Sequence, residues 1–334
     1  MCVQCFAAMS AKSSLEKWEY KRDGLGAHDV EVEISHCGIC HSDIHLIDDD
    51  WGMSGYPLVP GHEIIGKVRK VGPGVTNLEI GQRVGVGWQR GSCGKCEFCI
   101  SGQENLCSEH KATCVDGYGG FAESVAVSER FVFPIPEALD SENAAPLLCA
   151  GITVYSPLRV FDVKPFMRVG VIGVGGLGHV ALQFANKFGC EVTAFSSTSD
   201  KKAEAMKFGA HHFVASNDGT AISSAAGSLD FIMSTVPADL DWSMYVNTLR
   251  AGGKLCFLGV PPSPLTIHPI HLLMGQKSIC ASPIGGRTLM LEMLSISARH
   301  KIVAQTELLP MSEVNTAIEK VRRNKARYRM VLKA

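Results

Sequence analysis

The sequence lacks any run of about 20 consecutive apolar residues, the length that an α-helix needs to cross a bilayer, so no transmembrane helix is predicted. It also lacks an excess of charge of one sign. The net charge of -1 and the pI near 6.9 give no electrostatic reason to expect nucleic acid or a membrane surface as a partner. Residues 1–10 carry no basic segment ahead of a long apolar core, so no secretory signal is predicted.

One basic stretch, residues 320–329, could be a binding tail. Apolar side chains interrupt it, Val321, Ala326 and Tyr328 among them, as they do in a packed segment. We therefore expect this stretch to pack on the protein. The 13 cysteines suit disulfides only in an oxidising compartment, whereas clustered cysteines in a long chain more often bind metal. A cytoplasmic location is predicted.

The chain is long enough for two domains, and 46% hydrophobic residues supply material for two cores. Up to about Cys149, short alternating segments are broken by glycines. Val30, Val32 and Ile34 alternate with acidic residues, which is the period of a half-buried strand. The sequence therefore predicts a β-rich domain of the barrel type over residues 1–150, which residues 287–334 complete.

After Gly151 the pattern changes to strands that alternate with helices. Six strands are predicted, over residues 168–173, 191–195, 212–215, 230–235, 254–258 and 278–281. A helix follows the first strand, because apolar residues recur at helical spacing between Leu177 and Phe188. Strands joined by helical crossovers form a doubly wound parallel sheet of the α/β class, here over residues 151–286.

A glycine-rich turn lies between that first strand and its helix. The pattern G-x-G-x-x-G is formed by Gly173, Val174, Gly175, Gly176, Leu177 and Gly178. Alone the pattern is weak, but after a strand and before an amphipathic helix it is typical of dinucleotide binding. Glycines let the backbone approach the pyrophosphate, which then meets the N-terminus of the helix.

The end of the next strand indicates which dinucleotide binds. NAD sites usually place a carboxylate there, whereas this chain has hydroxyls and an ammonium: Ser196, Ser197, Thr198 and Lys201. A carboxylate would repel a 2′-phosphate, while these groups can hydrogen-bond and neutralise it. The pattern favours NADP(H). The alternative is that Ser199 caps a helix and the lysine is solvated.

Four clustered cysteines predict a metal site. Cys93, Cys96, Cys99 and Cys107 have the spacing C-x2-C-x2-C-x7-C in a loop-like stretch. Four thiolates close a tetrahedral zinc shell and leave no open position, as in structural sites. An iron–sulfur cluster uses related spacings, and unmetallated thiols are the other alternative.

A second set of zinc-binding residue types is dispersed along the chain. Cys40, His62 and Cys149 would supply two thiolates and one imidazole, which leaves a fourth position for water or substrate. Their spacing cannot show that they meet. Each also has an ordinary interpretation: a buried small residue for Cys149, a turn residue for His62 and an isolated C-x-x-C for Cys37 and Cys40.

At these residues the chain resembles the zinc-containing medium-chain dehydrogenase/reductase family, and most of all its cinnamyl-alcohol-dehydrogenase-like branch. The resemblance is carried by residues 40–45, 60–63 and 147–153, the four-cysteine cluster and the glycine turn. It implies a GroES-like catalytic domain, a Rossmann domain and two zinc ions per chain. Cys40, His62 and Cys149 would hold the catalytic ion, and the four-cysteine cluster the structural one.

The resemblance implies roles for residues around the catalytic ion. Glu63 would lie beside the metal and approach it during ligand exchange, and Asp43 would orient the imidazole ligand. Ser42 and His45 would carry the proton, and Thr153 would lie against the nicotinamide. Residues 196–201 match the branch's NADP-binding segment. Cys37 is not a ligand in the family and is expected to pack.

The implied function is hydride transfer between NADP(H) and a primary alcohol/aldehyde pair, mainly as a broad-specificity aldehyde reductase. A polyol or sugar dehydrogenase is the alternative, and an NADP-binding redox sensor without catalysis is another. The family also implies a homodimer, with the strand near Ser278–Ala281 as the pairing edge. Pro283 departs from the bulkier residue usual in the branch. Possible pocket walls are Trp51, Tyr56, Leu58 and Trp88.

Overall fold

The computed structural model describes residues 2–334 and divides the chain into two compact units. One unit comprises the residues up to Ile152 together with Gly285–Ala334, and the other is Thr153–Ile284. Met1, with which the predicted first domain begins, lies outside the described residues. Within the described part of the chain, none of the helices is both long and apolar enough to span a membrane.

The strands and helices are numbered in chain order. The strands are β1 Cys2–Ala7, β2 Glu16–Lys21, β3 Asp29–Ile39, β4 Glu63–Val71, β5 Arg83–Val86, β6 Gln89–Gly91, β7 Lys111–Ala112, β8 Ser124–Ser128, β9 Phe133–Pro134, β10 Arg168–Ile172, β11 Glu191–Ser196, β12 His212–Ala215, β13 Leu229–Ser234, β14 Leu249–Phe257, β15 Ser278–Ala281, β16 Thr306–Pro310 and β17 Arg329–Lys333. The α-helices are α1 His41–Asp48, α2 Glu97–Ile100, α3 Ser141–Ala144, α4 Ala150–Val160, α5 Gly178–Lys187, α6 Lys202–Lys207, α7 Gly219–Ser224, α8 Trp242–Thr248, α9 Ile270–Leu273, α10 Arg287–His300 and α11 Val314–Arg322. Short 3-10 helices cover Glu104–Leu106, Glu129–Phe131, Ala145–Leu148, Ser199–Lys201 and Met311–Glu313.

The larger unit is built on a sheet whose strands follow the order β16-β17-β3-β4-β5-β9, with β8 also paired to β3. Two antiparallel pairs, β1–β2 and β6–β7, flank it. The long strand β3 is central, because it pairs with β4, β8 and β17. Its apolar residues Val30, Val32 and Ile34 are buried in the core of this unit.

One expectation for β3 is wrong. Glu31, which alternates with the apolar residues, was expected on the solvent side, but only 1% of it is exposed. Arg22 covers it, with Nη2 2.6 Å from the Glu31 carboxylate, and Arg69 lies 3.7 Å from the same oxygen. A buried carboxylate is tolerated when it is ion-paired in this way. The sequence pattern could not reveal this tertiary pairing.

The second unit contains a parallel sheet of six strands in the order β12-β11-β10-β13-β14-β15. This confirms the predicted doubly wound α/β sheet. The order reverses at β10, and ligands bind at such a switch point, outside the carboxyl ends of the strands. The strand β14 begins at Leu249, five residues before the predicted start, and β15 lies at the edge of the sheet.

The basic stretch 320–329 packs on the first unit, as expected. Arg322 at the end of α11 forms an ion pair with Asp48 of α1. Val321 is buried, and Arg329 begins β17, which pairs with β3. These positive charges are therefore partly neutralised inside the unit.

Candidate metal centres and cofactor loop

Cys40 lies at the junction between β3 and α1, where a carboxylate fixes the local backbone. The Cys40 N–H donates a hydrogen bond of 2.9 Å to Asp43 Oδ2 in the first turn of α1. An acidic side chain in this position satisfies a free amide and complements the positive end of the helix dipole. The start of the helix thus sets the position of the Cys40 side chain.

The dispersed cysteines and histidine meet in the first unit. Cys149 Sγ lies 3.9 Å from Cys40 Sγ and 3.3 Å from His62 Nε2. A carboxylate oxygen of Glu63 joins them, so that the four ligand atoms all lie within 4.8 Å of one another. Cys40, His62 and Cys149 are 8%, 0% and 7% exposed. Residues remote in the chain therefore present two sulfurs and a ring nitrogen to one buried point.

The spacing of these atoms fits a zinc ion. Zn–S bonds of about 2.3 Å and Zn–N bonds of about 2.0 Å at tetrahedral angles hold two sulfurs about 3.8 Å apart, and a sulfur and a nitrogen about 3.5 Å apart. The observed separations of 3.9 and 3.3 Å agree with these values. The donor set Cys2His leaves one tetrahedral position free, which is the arrangement of catalytic zinc sites.

Asp43 links the segments that carry two of these donors. Its Oδ1 accepts hydrogen bonds from the Gly61 N–H at 2.8 Å and from His62 Nδ1 at 3.0 Å, while Oδ2 holds the Cys40 N–H. The carboxylate is fully buried. Because the Nδ1 hydrogen is held by Asp43, the lone pair of His62 is on Nε2, which faces the cysteines.

Glu63 is held between the cluster and β17. One of its oxygens forms an ion pair with Arg329, whereas Oε2 has no hydrogen-bond partner. Burial raises the pKa of Glu63 to about 7, and the positive charge of Arg329 opposes this rise. A buried carboxylate oxygen without a partner beside metal-binding side chains fits a site that receives a cation.

The cysteines and the histidine influence one another's protonation. The hydrogen bond from Cys149 holds the pKa of the Cys40 thiol well below its usual range, although burial opposes it. The same contact and burial raise the pKa of Cys149. Burial lowers the pKa of His62, but the negative charges of Asp43 and Cys149 and the hydrogen bonds with Asp43 and Cys114 together outweigh it, and the net shift is upward. The site concentrates negative charge, as a cation site does.

The two residues expected to relay protons lie on α1. Ser42 Oγ lies 3.7 Å from Cys40 Sγ, so this hydroxyl borders the cluster. His45 Nδ1 lies 2.7 Å from Asp50 Oδ2, and 31% of the His45 side chain is exposed. The ring of Trp51 packs on His45 with 5.0 Å between centroids. The histidine is thus positioned by Asp50 and reaches solvent.

The four-cysteine cluster forms a separate group in the same unit. Ligand sulfurs of Cys93, Cys96, Cys99 and Cys107 all lie within 4.8 Å of one another, and Cys93 Sγ is 3.9 Å from Cys99 Sγ. The loop turns at Gly94, whose φ of 74° favours glycine. Backbone N–H groups of Lys95 and Cys96 lower the pKa of Cys93 to about 6. Four sulfurs at this spacing fit a closed zinc shell.

The glycine turn lies where β10 ends and α5 begins. A side-chain Cβ at Gly178 would come within 1.8 Å of the Gly173 carbonyl oxygen, and one at Gly173 within 2.3 Å of Val236. These two glycines let the turn close on itself. At Gly175 a Cβ would meet nothing within 4 Å, so open space lies over the turn. The cradle fits a pyrophosphate at the N-terminus of α5.

The end of β11 carries hydroxyls, as its sequence indicates. Ser196 is buried, and its Oγ lies 3.5 Å from Thr198 Oγ1, while Ser197 is exposed. The Lys201 ammonium donates a hydrogen bond of 2.9 Å to the Val174 carbonyl, so it lies against the glycine turn. Asp200 is nearby in sequence and exposed.

Comparison with known proteins identifies the family. The model of the alcohol dehydrogenase GroES-like domain matches residues 26–137, and that of zinc-binding dehydrogenases matches residues 176–299. An aldehyde reductase, AdhA, from Synechocystis sp. is 44% identical over 330 residues, which cover 99% of this chain and 98% of that protein. The chain belongs to the zinc-binding alcohol dehydrogenase family.

Solved structures of this dehydrogenase family agree in fold. A cinnamyl alcohol dehydrogenase from Sorghum bicolor matches with a TM-score of 0.96 and 38% identity, and the match covers 100% of this chain and 98% of that one. A CAD from Helicobacter pylori, solved in complex with NADP(H), matches with a TM-score of 0.93 and 34% identity at the same coverage. The predicted GroES-like and Rossmann folds are confirmed.

Some residues of the dehydrogenase site give no signal in the sequence. Arg329 is paired with Glu63, Asp50 with His45, and Thr235 donates 2.8 Å to the Ile172 carbonyl directly before the glycine turn. Cys114, with Asp43 and His62, forms a further group of ligand atoms within 4.8 Å. The one sequence feature that could have drawn attention to Arg329 is its position directly before the apolar residues of β17.

The remaining predicted residues divide between the site and the core. Trp88 packs edge-on against His62 with 5.0 Å between centroids. Leu58 belongs to the core of the first unit, and Tyr56 and Trp88 both pack against that core. Thr153 is buried in α4, and Pro283 is exposed two residues after the end of β15.

Proposed function

We propose that this dehydrogenase uses zinc and NADP(H) to interconvert primary alcohols and aldehydes, and acts mainly as a broad-specificity aldehyde reductase. The observation that carries the proposal is the convergence of Cys40, His62 and Cys149 on one buried point at separations that suit zinc. The reductive direction follows from the usual cellular excess of NADPH. A reducing cytoplasm would keep the ligand cysteines out of disulfides and so free to bind the metal.

The three donors would hold the catalytic ion. Two thiolates and a neutral imidazole carry two negative charges and so neutralise a divalent cation. Bound zinc would supply a Lewis acid that polarises an aldehyde carbonyl and makes an alcohol hydroxyl ionise near neutral pH. Asp43 would keep the Nε2 lone pair of His62 directed at the ion. The ion-paired Glu63 would stay beside it.

Ser42 and His45 would move the proton between substrate and solvent. The Ser42 hydroxyl borders the ligand cluster, and a hydroxyl can accept one proton while it donates another. His45 contacts Asp50 through Nδ1, which leaves Nε2 for the relayed proton. The Asp50 carboxylate stabilises the histidine when it is charged, and the partial exposure of the ring allows exchange with water.

The glycine turn and the end of β11 would bind the cofactor, which supplies the hydride. The open space at Gly175 would receive the pyrophosphate. The hydroxyls of Ser196, Ser197 and Thr198 and the Lys201 ammonium would hold the 2′-phosphate. The Helicobacter pylori relative binds NADP(H) by its own description. Thr153 would lie against the nicotinamide.

Two further proposals concern the metal and the assembly. Cys93, Cys96, Cys99 and Cys107 would hold a second, structural zinc ion, because their sulfurs are close enough to complete a closed shell. The edge strand β15 would pair with a second copy of the chain, which would make a homodimer.

The experiment that tests the catalytic proposal is Cys40→Ser, with zinc content and aldehyde turnover both measured. Zinc should fall from two ions to one per chain. Turnover of NADPH with an aldehyde panel should fall more than about 100-fold. Mutation of a residue that only hydrogen-bonds to a metal ligand already lowers metal affinity or activity about 10- to 100-fold. Cys37→Ala is the matched control, because Cys37 is a buried cysteine of the same C-x-x-C that lies outside the ligand set.

Zinc content and turnover of the two cysteine variants together support or refute the proposal. Cys37→Ala should keep both zinc ions and its activity. Undiminished turnover in Cys40→Ser after loss of that zinc would refute catalysis by the metal. Cofactor choice is tested separately by kcat/KM for NADPH and NADH. A preference for NADH would refute the assignment of residues 196–201 and favour a polyol or sugar dehydrogenase.

A further inference from the structure

Two cysteines outside both metal clusters face each other on the last two strands of the nucleotide-binding sheet. Cys256 of β14 and Cys280 of β15 are direct partners in the parallel register. Directly opposed residues point to the same face of a sheet, and neighbouring strands lie about 4.8 Å apart. That separation falls within the range of about 4.4–6.8 Å between the Cα atoms of a disulfide. The backbone therefore already has the spacing that a cross-link needs.

The two thiols differ in environment in a way that suits stepwise oxidation. Cys256 is fully buried, whereas Cys280 is partly exposed. A hydrogen bond from Cys256 and the positive charge of Lys254 lower the pKa of Cys280, and the same contact raises the pKa of Cys256. Cys280 is thus the accessible thiol with the greater thiolate fraction, and thiolates react with peroxides.

We propose that Cys256 and Cys280 form a reversible disulfide when the protein meets hydrogen peroxide. The Cys280 thiolate attacks one peroxide oxygen, the O–O bond breaks, and hydroxide leaves, so that Cys280 becomes a sulfenic acid. The Cys256 sulfur then attacks the Cys280 sulfur, the S–O bond breaks, and the hydroxyl leaves with the Cys256 proton as water. The two electrons lost by the thiols reduce the peroxide, and a dithiol reductant reverses the change.

The disulfide would fasten the edge strand of the sheet. Among the described residues of one chain, β15 pairs with β14 alone, and after the strand ends the Ser282 N–H donates a hydrogen bond of 3.2 Å to the Phe257 carbonyl. Edge strands exchange their amide hydrogens through local opening. A covalent link at Cys280 should suppress that opening. Because a second copy paired to β15 would protect the same amides, oxidised and reduced protein are compared in the same oligomeric state, and hydrogen exchange over residues 278–282 should be slower in the oxidised protein.

The test uses the intact zinc-loaded protein, a low excess of hydrogen peroxide, alkylation of the remaining thiols and trypsin digestion. Cleavage after Lys254, Lys277 and Arg287 places each cysteine alone in its own peptide, residues 255–277 and 278–287. The expected product is a linked pair of these two peptides that lacks two hydrogen atoms and separates on treatment with dithiothreitol.

Cys190 supplies the matched comparison in the same unit. Burial raises its pKa to about 11, so at neutral pH its oxidation should be at least about tenfold slower than that of Cys280, allowing for the greater nucleophilicity of a basic thiolate. The Cys190→Ser variant should form the link as before, and Cys280→Ser should not. Recovery of singly oxidised Cys280 with Cys256 still alkylatable, or equal oxidation of Cys190, would overturn the proposal.

Discussion

The substitution Asp43→Asn should weaken zinc binding without changing the shape of the site. Both carboxylate oxygens of Asp43 accept hydrogen bonds, from the Gly61 N–H and His62 Nδ1 on one side and from the Cys40 N–H on the other. An amide has one oxygen, so its NH2 group must face a donor on one side. If the NH2 group faces His62, it donates to Nδ1, and the hydrogen of the imidazole then lies on Nε2. Zinc binding needs a lone pair on that nitrogen.

The expected loss of zinc affinity in Asp43→Asn follows from these contacts. A buried N–H left without an acceptor costs about 1–3 kcal/mol. Loss of a carboxylate behind a ligand histidine costs about 10- to 100-fold in metal affinity or activity. That range equals about 1.4–2.7 kcal/mol at about 1.4 kcal/mol for each factor of ten. The two estimates agree, so we expect zinc at this site to bind 10- to 100-fold more weakly.

Chelator competition measures the zinc affinity, and kcat/KM with an aldehyde measures the effect on catalysis. The matched control is Asp140→Asn, because Asp140 is an exposed N-cap of α3 and asparagine caps helices equally well. Asp140→Asn should keep the zinc affinity and the kcat/KM of the original protein. A folded Asp43→Asn protein with zinc affinity and kcat/KM within about twofold of the original would refute the positioning role.

Four further predictions, which use five substitutions, test other parts of the protein. Ser197→Asp should reverse the preference from NADPH to NADH in kcat/KM, because a carboxylate repels the 2′-phosphate and accepts from ribose hydroxyls. Gly178→Ala should lower the melting temperature, since its Cβ would lie 1.8 Å from a backbone oxygen, whereas Gly175→Ala should keep the melting temperature and lose NADP(H) affinity, measured by titration. His45→Gln should lower kcat for alcohol oxidation about 100-fold at neutral pH, and the deficit should shrink as pH rises and hydroxide replaces the relay. Cys96→Ser should release one zinc ion and lower the melting temperature in a calorimetric scan; unchanged zinc content would contradict the structural site.

The nucleotide-binding sheet could be predicted because its signals are local. Buried parallel strands are short apolar runs, and the glycine turn follows its strand directly, so neighbouring residues suffice. Helix α5 differs from the predicted helix by one residue at each end. The strand β14 begins earlier than predicted because Leu249 pairs with Leu229 across a bulge, which the sequence does not indicate.

The metal centre could be predicted only in part. Residue types mark Cys40, His62 and Cys149 as possible ligands, but their meeting depends on the whole path of the first unit, and resemblance to a family supplied the set. Partners fixed by tertiary contact gave no local signal. Arg329 reaches Glu63 from 266 residues away. Glu31 looked solvent-facing because the arginine that covers it comes from outside its own strand.

The central claim is that one zinc ion is shared by Cys40, His62 and Cys149, and crystals of the protein measured at the zinc absorption edge test it most directly. We predict two anomalous peaks per chain. One should lie about 2.3 Å from both sulfurs and about 2.0 Å from His62 Nε2, with a water or substrate at its fourth position. The other should lie among the four clustered cysteines. If zinc occupies the four-cysteine cluster fully and gives no peak among Cys40, His62 and Cys149, the central claim is wrong.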